Sequence, residues 1–139
     1  MRATTAPTAS SCNGPPAPRV TLVGAKGAQE LELLYAGADV FVLASLYEGY
    51  GMVLGEAMAR GLAIVCTTGG AAAETVPDHA ALKVPPGEVA ALGAAIGRVL
   101  RDADLRRQLA AAAWAAGQRL PRWEATAAAI AAVIRELAP

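Results

Sequence analysis

Two glutamates, Glu48 and Glu56, bracket a glycine-rich stretch that reads Glu-Gly-Tyr-Gly-Met-Val-Leu-Gly-Glu. Glycines just before a helix let backbone N–H groups approach an anion, and a helix starting near Met52 would point its positive end at a diphosphate. Glu56 would then accept the hydroxyl protons of a ribose diol, while Glu48 would hold sugar hydroxyls or face an anomeric carbon. An ordinary strand-to-helix turn, with glutamates placed to suit the helix dipole, would also give this pattern.

Four short apolar runs predict the strands that position this stretch, and their near-continuous apolar character is typical of buried parallel strands. They are Val20 to Gly24, Val40 to Ser45, Leu62 to Thr67 and Ala80 to Val84. The gaps between them predict crossover helices over Gln29 to Gly37, Met52 to Arg60 and Ala72 to Val76. Three further helices are predicted over Glu88 to Asp102, Asp104 to Gln118 and Arg122 to Leu137.

This alternation predicts an α/β fold with a doubly wound, Rossmann-like parallel sheet of about four strands and helices at the C-terminus. The glycine-rich stretch then lies at the carboxyl end of a strand, where open α/β sheets bind their ligands. The chain has 139 residues, of which 55% are hydrophobic, so one core is expected over residues 20–139. Residues 1–19 are rich in Thr, Ala, Pro and Ser and are expected to form a disordered tail.

The charge pattern excludes several kinds of partner. Twelve basic residues balance twelve acidic ones without long runs of one sign, so neither nucleic acid nor an anionic membrane is expected to bind. No apolar stretch is long enough for a membrane span. Cys12 and Cys66 are the only cysteines and are read as reduced thiols, which favours a cytoplasmic location.

The order Glu-Gly-aromatic-Gly, an aliphatic pair, Glu-Ala-Met-Ala-x-Gly, a strand, Gly69-Gly70 and then Glu74 resembles the family-4 (group 1) retaining glycosyltransferases of the GT-B fold. The resemblance spans roughly Val20 to Leu137 and covers part of the C-terminal donor-binding domain. It implies that Glu48 is catalytic, as a nucleophile or as a group that orients the donor. It also implies that a nucleotide sugar contacts six further residues, namely Gly49, Tyr50, Gly51, Met52, Val53 and Glu56. Neither a metal nor another cofactor is expected.

Several other residues attract attention, but their patterns favour structural roles. Glu74 is expected to bond helix-terminal N–H groups rather than to line the pocket. His79 is expected to be a surface turn residue, since it has no second ligand at a metal-binding spacing. Trp114 and Trp123 are expected to be core or interdomain anchors. Ser45 and Cys66 lack partners that would activate a nucleophile.

The family's usual Arg and Lys clamp on the diphosphate has no counterpart in the sequence, and neither has the acceptor domain. Lys26 follows the wrong strand for the lysine and is expected in a solvated loop. Each charge-assisted phosphate contact is worth roughly 1.5 to 3 kcal/mol, so isolated binding and activity should be weak. The absent strands should also leave a sheet edge open to self-association or to an acceptor domain in trans.

The sequence is compatible with three functions. The first is the donor half of a retaining glycosyltransferase, which would be incomplete alone. The second is a non-catalytic truncated paralogue that acts as an association module. The third is another doubly wound domain, such as a flavodoxin-like one. Binding of sugar nucleotides or of flavin distinguishes them.

Overall fold

The computed structural model describes residues 20–121 and 123–137, so the tail predicted over residues 1–19 lies outside the described residues. Three parallel strands form the sheet in the order β1-β2-β3. They are β1 (Val40–Leu43), β2 (Ala63–Thr67) and β3 (Ala81–Val84). Val40 pairs with Ala63 in the first ladder. The parallel α/β architecture predicted from the sequence is confirmed.

Helices connect and flank these strands close to the predicted positions. The crossover helices are α1 (Ala28–Ala36), α2 (Met52–Ala59) and α3 (Ala72–Thr75). After β3 the chain forms α4 (Val89–Arg101), α5 (Ala103–Gly117) and α6 (Trp123–Leu137). A 3-10 turn at Asp78–Ala80 precedes β3, which therefore starts one residue later than predicted.

The central strand β2 is buried along its whole length, and its side chains alternate between two hydrophobic clusters. Ile64 packs on one face with Leu54 and Met58 of α2. Val65 packs on the other face with Val99 of α4. Each large side chain buried in this way stabilises the fold by about 1.5 to 3 kcal/mol relative to an exposed one. The core thus fixes α2 directly against the sheet.

The strand predicted over Val20 to Gly24 is wrong, and the sheet has three strands rather than about four in the described residues. Leu22 is 79% exposed and Val20 is 53% exposed, so this run is not buried. The sheet of the described residues contains β1, β2 and β3 only, and the run from Val20 to Gly24 pairs with none of them.

Sheet edges and one helix face lack a partner in the part of the chain that is described. Neither the outer edge of β1 nor that of β3 has a strand beside it. Helix α6 buries none of its described side chains, and an apolar stripe along it is exposed. Its members are Ile130, Val133, Ile134 and Leu137. None of the described helices has the length and apolar content that crossing a bilayer requires.

Candidate functional site

Two loops meet at the carboxyl ends of β1 and β2 and form the base of the candidate site. The backbone N–H of Glu48 donates to the Gly69 carbonyl at 3.1 Å, and the Glu48 carbonyl accepts from Ala71 N–H at 2.9 Å. Gly69 is required here because a Cβ at this position would lie 2.1 Å from the Leu46 carbonyl oxygen. The first predicted glutamate is therefore held by backbone bonds to the neighbouring loop.

The Glu48 side chain is half-buried and bonded within its own loop. Its Oε1 accepts a hydrogen bond from Ser45 Oγ at 2.5 Å. The Ser45 carbonyl in turn accepts from the hydroxyl of Thr67, at the end of β2. Ser45, for which the sequence suggested no nucleophilic role, thus anchors the carboxylate. Glu48 does not belong to the wall of the main cavity described below.

Helix α2 begins at the end of the glycine-rich stretch. Gly51 is its N-cap with φ of 74°, a left-handed conformation that favours glycine, and no side chain caps the helix. The Thr75 hydroxyl donates to the Tyr50 carbonyl at 3.1 Å and so ties α3 to this turn. The first N–H groups of a helix have no intrahelical acceptor. The turn therefore presents backbone donors and the positive end of the α2 dipole.

Glu56 lies one turn into α2, as predicted, and is bonded to a residue that the sequence did not single out. The hydroxyl of Tyr35, on α1, donates to Glu56 Oε2 at 3.0 Å. Arg60 Nη1 donates to the Glu56 carbonyl at 3.1 Å, and the other terminal nitrogen of Arg60 pairs with Glu32. The Arg60 guanidinium also lies 4.4 Å from the centroid of the Tyr35 ring. These four side chains form one connected cluster.

The electrostatics of this cluster follow from its geometry. Burial, and then the hydrogen bond to the Glu56 carboxylate, raise the pKa of Tyr35. The tyrosine therefore keeps its proton and stays a donor well above neutral pH. The hydrogen bond to Glu32 raises the pKa of Arg60, so this side chain remains cationic.

A cavity of about 760 Å³ opens between α2, α3 and the segment after α5. The start of α2 and the Glu56 carboxylate share its wall. It brings together four predicted site residues, Tyr50, Gly51, Met52 and Glu56. Eight further residues complete the wall: Gly55, Ala59, Arg60, Ala71, Glu74, Thr75, Leu120 and Pro121. Gly49 and Val53 lie in the same stretch but do not line the cavity.

Glu74 is a cavity residue, and the helix-capping role expected for it is wrong. It lies in α3, which has no side-chain cap, and no hydrogen bond involves its carboxylate among the described residues. The sequence also gave no weight to Arg60. The one available signal was its place four residues after Glu56, on the same face of α2.

The remaining candidates lie away from the cavity. His79 is exposed in the 3-10 turn, as expected. Lys26 bonds to Glu30 at 3.0 Å at the start of α1, near solvent. Trp114 is 51% exposed on α5, next to Gly61. Cys66 is fully buried in β2, where burial raises the pKa of its thiol. The side chain of Trp123 lies outside the described residues, as does Cys12.

Within the described ranges, no three His, Cys, Asp or Glu side chains come together in a way that could hold a metal ion. The cavity wall has two carboxylates, Glu56 and Glu74, and Glu56 already accepts a bond from a protein hydroxyl. The wall offers a ligand a helix terminus, two glutamates, the cation of Arg60, the hydroxyl-bearing residues Tyr50 and Thr75, and an apolar remainder. Metal independence stays a prediction.

Known proteins are similar to this chain in sequence and in fold. The sequence profile of the family described as glycosyl transferases group 1 matches residues 6–102. O-antigen chain mannosyltransferase B of Escherichia coli is 38% identical over 96 residues, which are 69% of this chain and 25% of that protein. The chain thus spans about a quarter of that relative's length.

Solved structures extend the comparison. Sucrose-phosphate synthase from Thermosynechococcus elongatus superposes with a TM-score of 0.77 and 37% identity, over 86% of this chain and 30% of that one. Anabaena HepE in complex with UDP-glucose gives a TM-score of 0.58 and 31% identity, over 62% of this chain and 24% of that one.

Proposed function

Because the chain belongs to the group 1 glycosyltransferase family, we propose that it supplies the donor site for retaining transfer of a sugar from a nucleoside diphosphate. One observation carries the proposal: the start of α2 and Glu56 line the same cavity of about 760 Å³. That volume lies within the range of small-molecule sites. The relative in complex with UDP-glucose supports the choice of ligand class.

In this proposal the diphosphate binds at the N–H groups that begin α2, where the helix dipole favours negative charge. The ribose diol donates to Glu56, whose carboxylate has about four acceptor positions. The sugar lies toward Glu48, which orients it or attacks its anomeric carbon. Gly49 to Val53 supply the backbone between the two glutamates. No metal takes part.

The described wall predicts weak binding by the chain alone. Arg60 is the only Lys or Arg on that wall, and its two terminal nitrogens already bond to Glu32 and to the Glu56 carbonyl. Cations for the diphosphate, and the surface that binds the acceptor, are proposed to come from protein outside the described residues. The acceptor surface is proposed to belong to a longer protein or to a partner in trans.

Thermal unfolding of the full chain with UDP, GDP or ADP tests the donor site. A ligand at 100 times its dissociation constant should stabilise the fold by about 2.7 kcal/mol. The Glu56→Gln variant should lose most of this gain, because its neutral amide lacks the charge that strengthens hydrogen bonds from the ribose hydroxyls. Glu136→Gln is the matched control, because Glu136 is exposed on α6. This variant should keep the full stabilisation by the nucleotide. No stabilisation by any of the three nucleotides would contradict the proposal.

Retention is tested separately, on the sugar released when the chain slowly hydrolyses UDP-glucose or GDP-mannose. Proton NMR identifies the anomer that forms first. A retaining site should release the α anomer, since these donors are α-linked. Early release of the β anomer would contradict retention and leave the binding proposal intact.

A second candidate function, a non-catalytic association module, is favoured by the uncovered surfaces. An apolar groove of about 200 Å³ lies between α1, β1 and Leu62, and the α6 stripe is exposed. Sedimentation velocity over a range of concentrations tests it. Self-association should be weakened by Ile134→Glu on the stripe and kept by Ala128→Glu, an exposed position elsewhere on α6. A monomer at every concentration would contradict this function.

A further inference from the structure

The Glu56 carboxylate, unlike that of Glu48, is bonded to a side chain from a distant part of the sequence. Tyr35 comes 21 positions earlier, on a different helix, and its hydroxyl reaches Glu56 Oε2 at 3.0 Å. Tyr35 is only 7% exposed, although most of α1 is exposed. Tyr35 is the one buried residue of α1, and its hydroxyl bonds to a residue of the cavity wall.

The ring that carries this hydroxyl is supported by two neighbouring groups. It stacks on Phe41 of β1, with ring centroids 6.0 Å apart and an interplanar angle of 24°. The guanidinium of Arg60 lies over the ring at 4.4 Å. Arg60 is itself held by Glu32 and by the Glu56 carbonyl. The direction of the hydroxyl is therefore set by the fold, without any ligand.

We propose that Tyr35, supported by Arg60, is a positioning residue that holds the Glu56 carboxylate in one rotamer, with its remaining acceptor positions free for the ribose diol. This inference rests on the proposed donor function of the same cavity. It assigns Tyr35 no contact with the ligand, because Tyr35 is not on the cavity wall.

The physical basis is preorganisation. A free glutamate side chain loses rotamer freedom when it binds a ligand, and this loss weakens binding. A carboxylate fixed before the ligand arrives avoids that loss, and one bond from a tyrosine leaves about three of its four acceptor positions open. The raised pKa of Tyr35 keeps the hydroxyl protonated over the working range of pH.

The test compares UDP and GDP with their 2′,3′-dideoxy forms, by calorimetric titration of the full-length chain. The wild type should prefer the ribonucleotide by about tenfold or more, because two bonds to a charged group are lost with the diol. Tyr35→Phe keeps the ring and its stacking but removes the hydroxyl. The preference of this variant for the ribonucleotide should fall to about threefold or less, while its affinity for the dideoxy ligand should change little.

Tyr47→Phe is the matched control. Tyr47 is 77% exposed, it does not line the cavity, and its hydroxyl has no partner among the described residues. This variant should keep the full preference for the ribonucleotide. If the role of Tyr35 were purely structural, Tyr35→Phe would instead lower the affinity for both forms of the ligand by the same factor.

Arg60→Lys is a second variant, which decides the question if Tyr35→Phe does not fold. Lysine keeps the positive charge but lacks the planar group that lies over the Tyr35 ring. The preference for the ribonucleotide should therefore also fall, by a smaller factor than in Tyr35→Phe. The inference is overturned if the folded variants keep the wild-type preference. A wild type that binds neither nucleotide overturns the donor site itself. A wild type that binds the ribose and dideoxy forms equally overturns the ribose role of Glu56 and, with it, the inference.

Discussion

Replacing Gly51 by alanine is the sharpest test of how the glycine-rich stretch is built. Gly51 has a φ of 74° as the N-cap of α2, and an L residue in that region costs about 1 to 2 kcal/mol. The added Cβ would lie 3.3 Å from both Leu54 Cδ1 and Thr75 Oγ1, closer than ordinary contact. The lower entropy of the unfolded alanine variant offsets about 0.4 to 1 kcal/mol. With the crowding included, Gly51→Ala should destabilise the fold by about 1 to 2 kcal/mol.

Urea unfolding of the full chain, without ligand, measures this loss, and thermal unfolding should show a midpoint lower by about 3 to 6 °C. Gly49→Ala is the matched control two residues away. No atom lies within 4 Å of a Cβ built there, and the φ of Gly49 is not positive. Its stability should therefore equal that of the wild type or exceed it slightly.

A third variant, Gly51→Asn, separates backbone strain from crowding, because asparagine tolerates the left-handed region better than alanine. It should recover at least part of the loss. Equal stability of Gly51→Ala and Gly49→Ala would refute the argument that the turn depends on a left-handed residue. A Gly51→Asn variant as unstable as Gly51→Ala would show that crowding dominates.

Three further predictions follow from individual contacts. Gly69→Ala should destabilise the fold by about 3 kcal/mol in urea unfolding, since its Cβ would meet the Leu46 carbonyl at 2.1 Å; a neutral effect would refute the close approach of the two loops. The raised pKa of Tyr35 means that its stabilisation is complete below about pH 10 and is lost as the pH rises through the folded-state pKa. Above about pH 10, the unfolding free energy should therefore fall less steeply with pH in Tyr35→Phe than in the wild type. Equal slopes in the two proteins would contradict a raised pKa of Tyr35. In a Cys12→Ser background, the buried Cys66 thiol should react with a disulfide reagent only after urea unfolding, whereas fast labelling of the native protein would contradict its burial.

Local patterns were sufficient to predict most of the elements. The apolar run that became β2 is buried on both faces, which is why its sequence does not alternate between apolar and polar residues. The glycine before Met52 and the apolar residues after it were enough to place the start of α2. Such features depend on residues within a few positions of one another, and a single sequence contains that information.

Pairing between distant segments was not predictable in the same way. Val20 to Gly24 has the composition of a strand, but a strand also needs a neighbour with free backbone groups, and composition does not identify that neighbour. The bond between Tyr35 and Glu56 joins two helices that are separated in sequence by a strand and a loop. No spacing rule connects them, so the sequence pointed to the carboxylate and missed the group that holds it.

The charge balance of the cavity bears on how strongly the proposed donor site would bind. The wall carries Glu56 and Glu74, whereas the positive charge of Arg60 is already compensated by its bond to Glu32. A nucleoside diphosphate would bring further negative charge to a wall whose only uncompensated positive feature, among the described residues, is the end of the α2 dipole. That dipole is worth about 0.3 to 1 kcal/mol near solvent and up to about 2 kcal/mol when partly buried. Like charges 4 Å apart repel by about 4 kcal/mol near a protein surface, which is more than the dipole supplies. In the proposed donor site, tight binding would therefore need cations from outside the described wall.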